Sequence, residues 1–217
     1  EAQNLGGSLA KEVPTYADLL AKTGYHTGFS RKGASPSKHT YRGTDPFGQR
    51  FKDFEAFLSA RKKDTPFCFW YGSGAPHRPY FLNSGKTSGL NTENLVLPPG
   101  LPDHSIVRND LLDYYATVQV FDLEASTILD LLKKAGELEN TLIVMSGDNG
   151  MPFPRAKATL YDTGTRVPLV VRWGKQIKGG RKVIDFVSLC DLAPTFLEAA
   201  GIAPPKAMTG RALFAQF

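Results

Sequence analysis

Asp148 and Asn149 follow directly on the short apolar run Leu142-Ile143-Val144-Met145, and that placement could carry chemistry. An apolar, partly β-branched run of this length has the pattern of a buried strand. In open α/β sheets, ligands collect at the carboxyl ends of strands. Carboxylate and amide oxygens suit a hard cation such as calcium or magnesium. A few residues later Arg155, Lys157 and Arg166 offer positive charge to an anion. Cation, anion receptor and strand end together point to chemistry on a phosphate or sulfate ester. Asp-Asn-Gly also has the composition of a tight turn. The next segment is proline-broken and cationic, with no second strand, which weakens a simple hairpin.

A second candidate group lies in Ala75-Pro76-His77-Arg78-Pro79-Tyr80, directly after an apolar and aromatic strand pattern. The two prolines restrict the backbone on either side of His77 and Arg78 and help to hold them in place. By itself a histidine in a loop is usually just solvated. The other histidines keep that reading: His26 precedes a strand, His39 and His104 sit in polar loops, and no pair has metal-ligand spacing. Cys68 lies in the strand pattern PFCFWYG and Cys190 in SLCDLAPTFLEAAG, which reads as an amphipathic helix. Both are expected to be buried free thiols that behave as small hydrophobes. Their spacing does not support a disulfide.

The elements that must position these residues read as α/β. Pro14–Thr23 has helical spacing and leads into a short strand at Thr27–Ser30. Phe51–Lys63 reads as a helix with Phe51, Phe54, Phe57 and Leu58 on one face, followed by a strand at Phe67–Tyr71. Ile106–Ala135 is the longest helical pattern, with Val107, Leu111, Tyr114, Val118, Phe121, Ala125, Ile128 and Leu132 stepping by three or four. Aromatics on such a face are expected to pack in the core. Strands at Leu142–Met145 and Pro168–Arg172 and a helix at Leu189–Ala200 complete the order. This alternation predicts a sheet with helices on both faces. The loop from Ser73 to Ser105 is long enough to serve as a lid or binding loop.

Composition fits a folded globular piece: of 217 residues, 41% are hydrophobic and 22% charged. The net charge of +5 is scattered, so no basic stripe for nucleic acid is read. A mildly basic surface is equally compatible with an anionic substrate. No apolar run approaches the roughly 18 residues of a membrane span.

SGDNG at Ser146–Gly150, PFPRAK at Pro152–Lys157 and LYDTGTRVP at Leu160–Pro168 resemble the sulfatase family. So do AKTGYHTGFSRKG at Ala21–Gly33, PFCFWYGSGAPHRPY at Pro66–Tyr80, DFVSLCDLAPTFLEAAGI at Asp185–Ile202 and MTGRAL at Met208–Leu213. The blocks fall in the family's order and are most similar to the branch that includes heparan N-sulfatase. The resemblance implies an alkaline-phosphatase-like sheet with helices on both faces. It also implies that residues 1–217 are a partial catalytic domain, without the N-terminal nucleophile segment and the smaller C-terminal subdomain.

The resemblance further implies hydrolysis of a sulfate ester or sulfamate of a saccharide, with Ca2+ held partly by Asp148 and Asn149. His77 becomes the general acid and Lys157 a charge on the sulfate, with Arg78 and Arg155 on the substrate. Lys32 resembles the lysine of a Gly-Lys pair that braces the nucleophile, although Arg31 precedes it and Ala34 stands where a histidine is usual. The family nucleophile is a formylglycine made from Cys in C-x-[PA]-x-R. Neither Cys68 nor Cys190 has that context, so the formylglycine is expected upstream. A periplasmic or secreted location is what the family implies. Two other classes stay open: a non-catalytic descendant that binds sulfated glycans, and a phosphoryl-transfer enzyme of the alkaline-phosphatase-like group. The latter should show more metal-binding His and Asp residues.

Overall fold

Thr15 and Asp18 start α1 (Tyr16–Lys22) through a reciprocal capping box, each side chain accepting the other's backbone N–H. The box satisfies two of the amide donors that a helix start leaves open. The computed structural model describes residues 7, 9–34, 43, 45–174 and 176–217. His39 lies outside them. The chain divides into two compact units, Glu1–Gly72 with Lys175–Phe217, and Ser73–Gly174.

In the first unit, β1 (His26–Arg31) pairs in parallel with β2 (Gln49–Arg50) on one side and β3 (Phe67–Gly72) on the other. Asp53 caps α2 (Phe54–Ala60) by accepting the Ala56 N–H at 2.8 Å. Phe54 and Phe57, one helical turn apart, are buried and pack on Phe67 and Phe69 of β3. This aromatic cluster corrects the solvated reading of His26. Its ring stacks on Phe57 at 4.6 Å, and burial holds its pKa below the usual imidazole value. The helix α6 (Leu192–Ala199) follows a single 3-10 turn at Leu189–Asp191. Buried Asp191 ties this region together, accepting the backbone N–H groups of Ser188 and Arg211.

The cysteines divide. Cys68 is half-buried in β3, and burial pushes its thiol up to about 12. Cys190 is exposed, contrary to expectation, because it lies in the 3-10 turn ahead of α6 and not on the helix's packed face. Both are free thiols.

The second unit is built on α4 (Ser105–Lys134), whose N-terminus is capped by His104 accepting the Ile106 N–H. Of the predicted stripe, Leu111 and Leu132 are fully in the core, while Ile106 and Leu123 on other faces stay exposed. Buried Asp113 accepts the N–H groups of Asn83 and Gly85, which anchors α3 (Ser84–Thr87) inside the long loop after Ser73. β4 (Ile143–Ser146) and β5 (Leu169–Arg172) pair antiparallel, register Ile143 to Arg172.

The predicted strand at Pro168–Arg172 is β5, reached after the long excursion from Gly147 to Pro168 that includes α5 (Asp162–Thr165), so the connection is no simple hairpin. The described strands also form two sheets, one parallel and one antiparallel, where the pattern predicts one. β4 is half-buried because, among the described residues, it has a single strand neighbour. Among the described residues, no helix is long and apolar enough to cross a membrane.

Candidate functional site

The excursion between β4 and β5 carries Asp148, Asn149, Arg155 and Lys157, and its shape is set by close backbone contacts. Ser146 Oγ donates to Pro168 O at 2.8 Å, closing the mouth of the loop. The Gly150 N–H donates to Gly164 O at 2.9 Å. At Gly150 a Cβ would collide with the Thr163 carbonyl, and at Gly164 one would collide with Thr159 and Ala156 carbonyls. Only glycine lets these two stretches lie so close. Gly150→Ala is therefore expected to destabilise the unit by about 1–3 kcal/mol, the usual cost of overpacking. Thermal denaturation would read this as a Tm lowered by about 2–4 °C per kcal/mol.

Lys157 is presented by an unusual local frame. Its N–H donates to Met151 O at 3.0 Å, and the residue before it, Ala156, is fully buried. Arg155 (φ 60°) and Ala158 (φ 63°) on either side occupy the left-handed region. That conformation is uncommon for residues with a Cβ and costs about 1–3 kcal/mol each. Thr163 Oγ1 donates to Arg155 O at 2.5 Å and holds the first of these in place. The effect is to send both basic side chains outward: Arg155 and Lys157 are exposed. Neither has an ion-pair partner among the described residues, so their charge is available to an anion. Arg166, by contrast, pairs with Asp162 at 3.7 Å.

Asp148 is exposed and Asn149 half-buried, side by side just beyond the carboxyl end of β4. Their oxygens fit a hard cation by donor type. Among the described residues, no group of three or more His, Cys, Asp or Glu side chains could hold a metal ion. Calcium takes roughly six to eight oxygens. Two side chains fall well short of that number.

His77 lies at the surface in the loop that leaves β3. Its Nδ1 stands 2.5 Å from the Arg78 carbonyl oxygen. A carbonyl can only accept, so Nδ1 must carry the proton, and Nε2 is left as the nitrogen that exchanges one.

Arg78 does not point away as an unattached cation. It is half-buried, and its guanidinium forks onto Asp110 of α4, Nη1 to Oδ1 at 2.9 Å and Nη2 to Oδ2 at 2.5 Å. Its Nε donates to Pro152 O at 3.1 Å, and its carbon centre lies 4.6 Å from the Tyr80 ring and 4.9 Å from the Phe153 ring. Tyr114, one turn along α4 from Asp110, packs on both of those rings. Three of its five N–H donors are thus turned onto the protein. Asp110 and Phe153 were not singled out in the sequence, and Tyr114 was expected only as core packing on its helix. A carboxylate beside the core residue Leu111 on a long helix was the available signal.

One path of bonds joins the candidate residues of this unit. Arg78 binds the carbonyl of Pro152, and the adjacent Met151 carbonyl takes the Lys157 N–H. The loop bearing His77 is thereby fastened to the loop bearing Asp148, Asn149, Arg155 and Lys157. Lys32 belongs to the other unit, at the carboxyl end of β1. Its N–H donates to Gly72 O and its carbonyl accepts from Trp70 Nε1, both at 2.9 Å, while the residue is exposed.

The chain has relatives among known proteins. It is 30% identical over 175 residues to an ulvan-active sulfatase of Formosa agariphila, covering 80% of this chain and 29% of that protein. It is 35% identical over 120 residues to the N-sulphoglucosamine sulphohydrolase of Homo sapiens, covering 52% and 23%. It thus spans less than a third of the length of these relatives. Among solved structures, one bound to its substrate D-glucosamine-2-N,6-O-disulfate superposes with a TM-score of 0.69 at 20% identity, covering 96% of this chain and 65% of that one. The fold is that of the alkaline-phosphatase-like sulfatases. The sulfatase family profile matches residues 1–202, nearly the whole chain, and the chain belongs to that family.

Proposed function

We propose that the protein hydrolyses a sulfate ester or sulfamate on a saccharide, and that residues of Ser73–Gly174 supply the proton donor, a sulfate-binding charge and part of a calcium site. The observation that carries this reading is the Arg78–Pro152 hydrogen bond, which fastens the His77 loop to the loop of Asp148, Asn149 and Lys157. Lys157 places a fixed positive charge against the sulfate oxygens, worth most where water is excluded. Arg155, exposed two residues away, is placed to take a further anionic group of the saccharide. His77, with its Nδ1–H held by the Arg78 carbonyl, gives the Nε2 proton of its imidazolium form to the departing oxygen or nitrogen and is left as the neutral Nδ1–H ring. Asp148 and Asn149 would hold calcium by their side-chain oxygens. Bound there, the ion would draw charge from the sulfate oxygens as a Lewis acid.

Lys32 is proposed to brace the nucleophile from the end of β1. The nucleophile, a formylglycine, is assigned to sequence outside these 217 residues, since neither Cys68 nor Cys190 has the required context. The saccharide reading draws on the relatives: one is named for ulvan, and one structure holds a glucosamine disulfate.

Sulfate release from sulfated saccharides by the complete protein, measured by ion chromatography, tests the reading. Release is expected to stop on chelation and to return with calcium. The chain Glu1–Phe217 alone is expected to release none. Turnover by it that survives replacement of both cysteines would overturn the assignment of the nucleophile.

A further inference from the structure

We infer that Arg78 and Asp110 form a positioning clamp that fixes the orientation of the His77 ring against the Lys157 loop, so that Arg78 acts through its neighbour and not on the substrate. The inference deepens the function proposed above and rests on it. The proton acceptor of His77 Nδ1 is the carbonyl of Arg78 itself. The direction of that carbonyl depends on how the Arg78 peptide is held. The Arg78 side chain is planted at three points: the fork on Asp110, the bond to Pro152 O, and the rings of Tyr80 and Phe153. A bidentate pair of this kind fixes an angle as well as a distance.

The surrounding contacts close the frame. Asp110 and Tyr114 share one face of α4 at the i, i+4 spacing, so a single rigid element supplies both the fork and the ring that packs on Tyr80 and Phe153. Tyr80 Oη returns to Pro76 O at 3.2 Å, bridging the loop across His77. Ser73 Oγ donates to Glu124 of the same helix at 2.6 Å and accepts the Ala75 N–H at 2.9 Å, which ties down the loop's start. Among the described residues, the His77 side chain makes one hydrogen bond, at Nδ1, while its backbone N–H donates to Gly74 O at 3.0 Å. Its aim is inherited from its neighbours.

Lysine keeps the charge of arginine but cannot make the fork or the planar stack. Arg78→Lys and the near-isosteric Asp110→Asn therefore loosen the clamp without emptying the site. The test uses the complete protein with its histidines labelled with 15N, the His77 signals being assigned by their loss in a His77→Gln sample. With the ring neutral, the wild type should show a single tautomer with Nδ1 protonated, and both variants should show the two tautomers mixed. In parallel, kcat should fall roughly 10–100-fold on substrates with poor leaving groups, the scale of a misplaced catalytic group. Aryl sulfates with acidic phenols should be little affected, and His77→Ala added to Arg78→Lys should cost far less than the product of the two single losses.

An unchanged His77 tautomer in both variants overturns the clamp. So does a loss equal for all leaving groups, which marks a structural role only. A raised KM with kcat intact also overturns it, and makes Arg78 an anion ligand. Should His77→Ala itself show no dependence on the leaving group, the general-acid assignment fails. The ring-nitrogen signals still decide the clamp in that case.

Discussion

Replacing His77 by Ala in the complete protein is expected to lower kcat by roughly 10²–10⁴-fold, the usual range for losing a positioned proton donor. The physical ground is the tautomer. With Nδ1 committed to the Arg78 carbonyl, Nε2 is the one ring nitrogen left to give a proton to the leaving atom. An alkoxide or an amide anion is a poor leaving group and needs that proton as the bond to sulfur breaks. An acidic phenol departs without it, so the loss should shrink as the leaving group becomes more acidic. Steady-state rates over a series of aryl sulfates, together with a sulfated saccharide, measure this directly. Equal losses across the series would mean that His77 binds sulfate. Near-normal rates throughout would return it to the role of a solvated loop residue.

Much of the frame that carries these residues was legible because it repeats locally. The stripe predicting Ile106–Ala135 matches α4 at Ser105–Lys134 within one residue at each end, since a 3.6-residue period over many turns is hard to mistake. The strands at Phe67 and Leu142 were marked by apolar runs of strand length. Short elements were not legible. β2 is two residues long and exists because it pairs with β1, and α3 exists because Asp113 takes its first amides. No periodicity can announce structure of that kind.

The site shows the same division. His77, Asp148, Asn149 and Lys157 are candidates on residue type, strand ends and resemblance alone. The charge of Arg78 is local information, whereas its partners Asp110 and Pro152, which the sequence could not announce, lie 32 and 74 residues away. The left-handed backbone at Arg155 and Ala158 was hidden too, because neither is Gly or Asn, the residues that usually signal it. Cys190 misled for a related reason. The helical pattern that contains it begins as a 3-10 turn, which aims the side chain outward.

That left-handed frame is why Lys157→Ala should behave unlike His77→Ala. The Lys157 backbone is held by the Met151 carbonyl and flanked by left-handed residues, and in the proposed role its charge serves the sulfate before, during and after bond breaking. Its removal should therefore raise KM as well as lower kcat, and both losses should be the same for acidic and basic leaving groups. For a fixed donor facing developing charge, the fall in kcat is expected at about 10²–10³-fold. Arg155→Ala supplies the contrast: as a contact used equally in ground and transition states, it should raise KM and leave kcat close to normal. Inorganic sulfate as a competitive inhibitor gives a second reading, since its inhibition constant should weaken in Lys157→Ala and stay unchanged in His77→Ala. A Lys157→Ala protein whose kcat loss tracked the leaving group, with sulfate inhibition intact, would move the proton-donor role to Lys157 and remove it from His77.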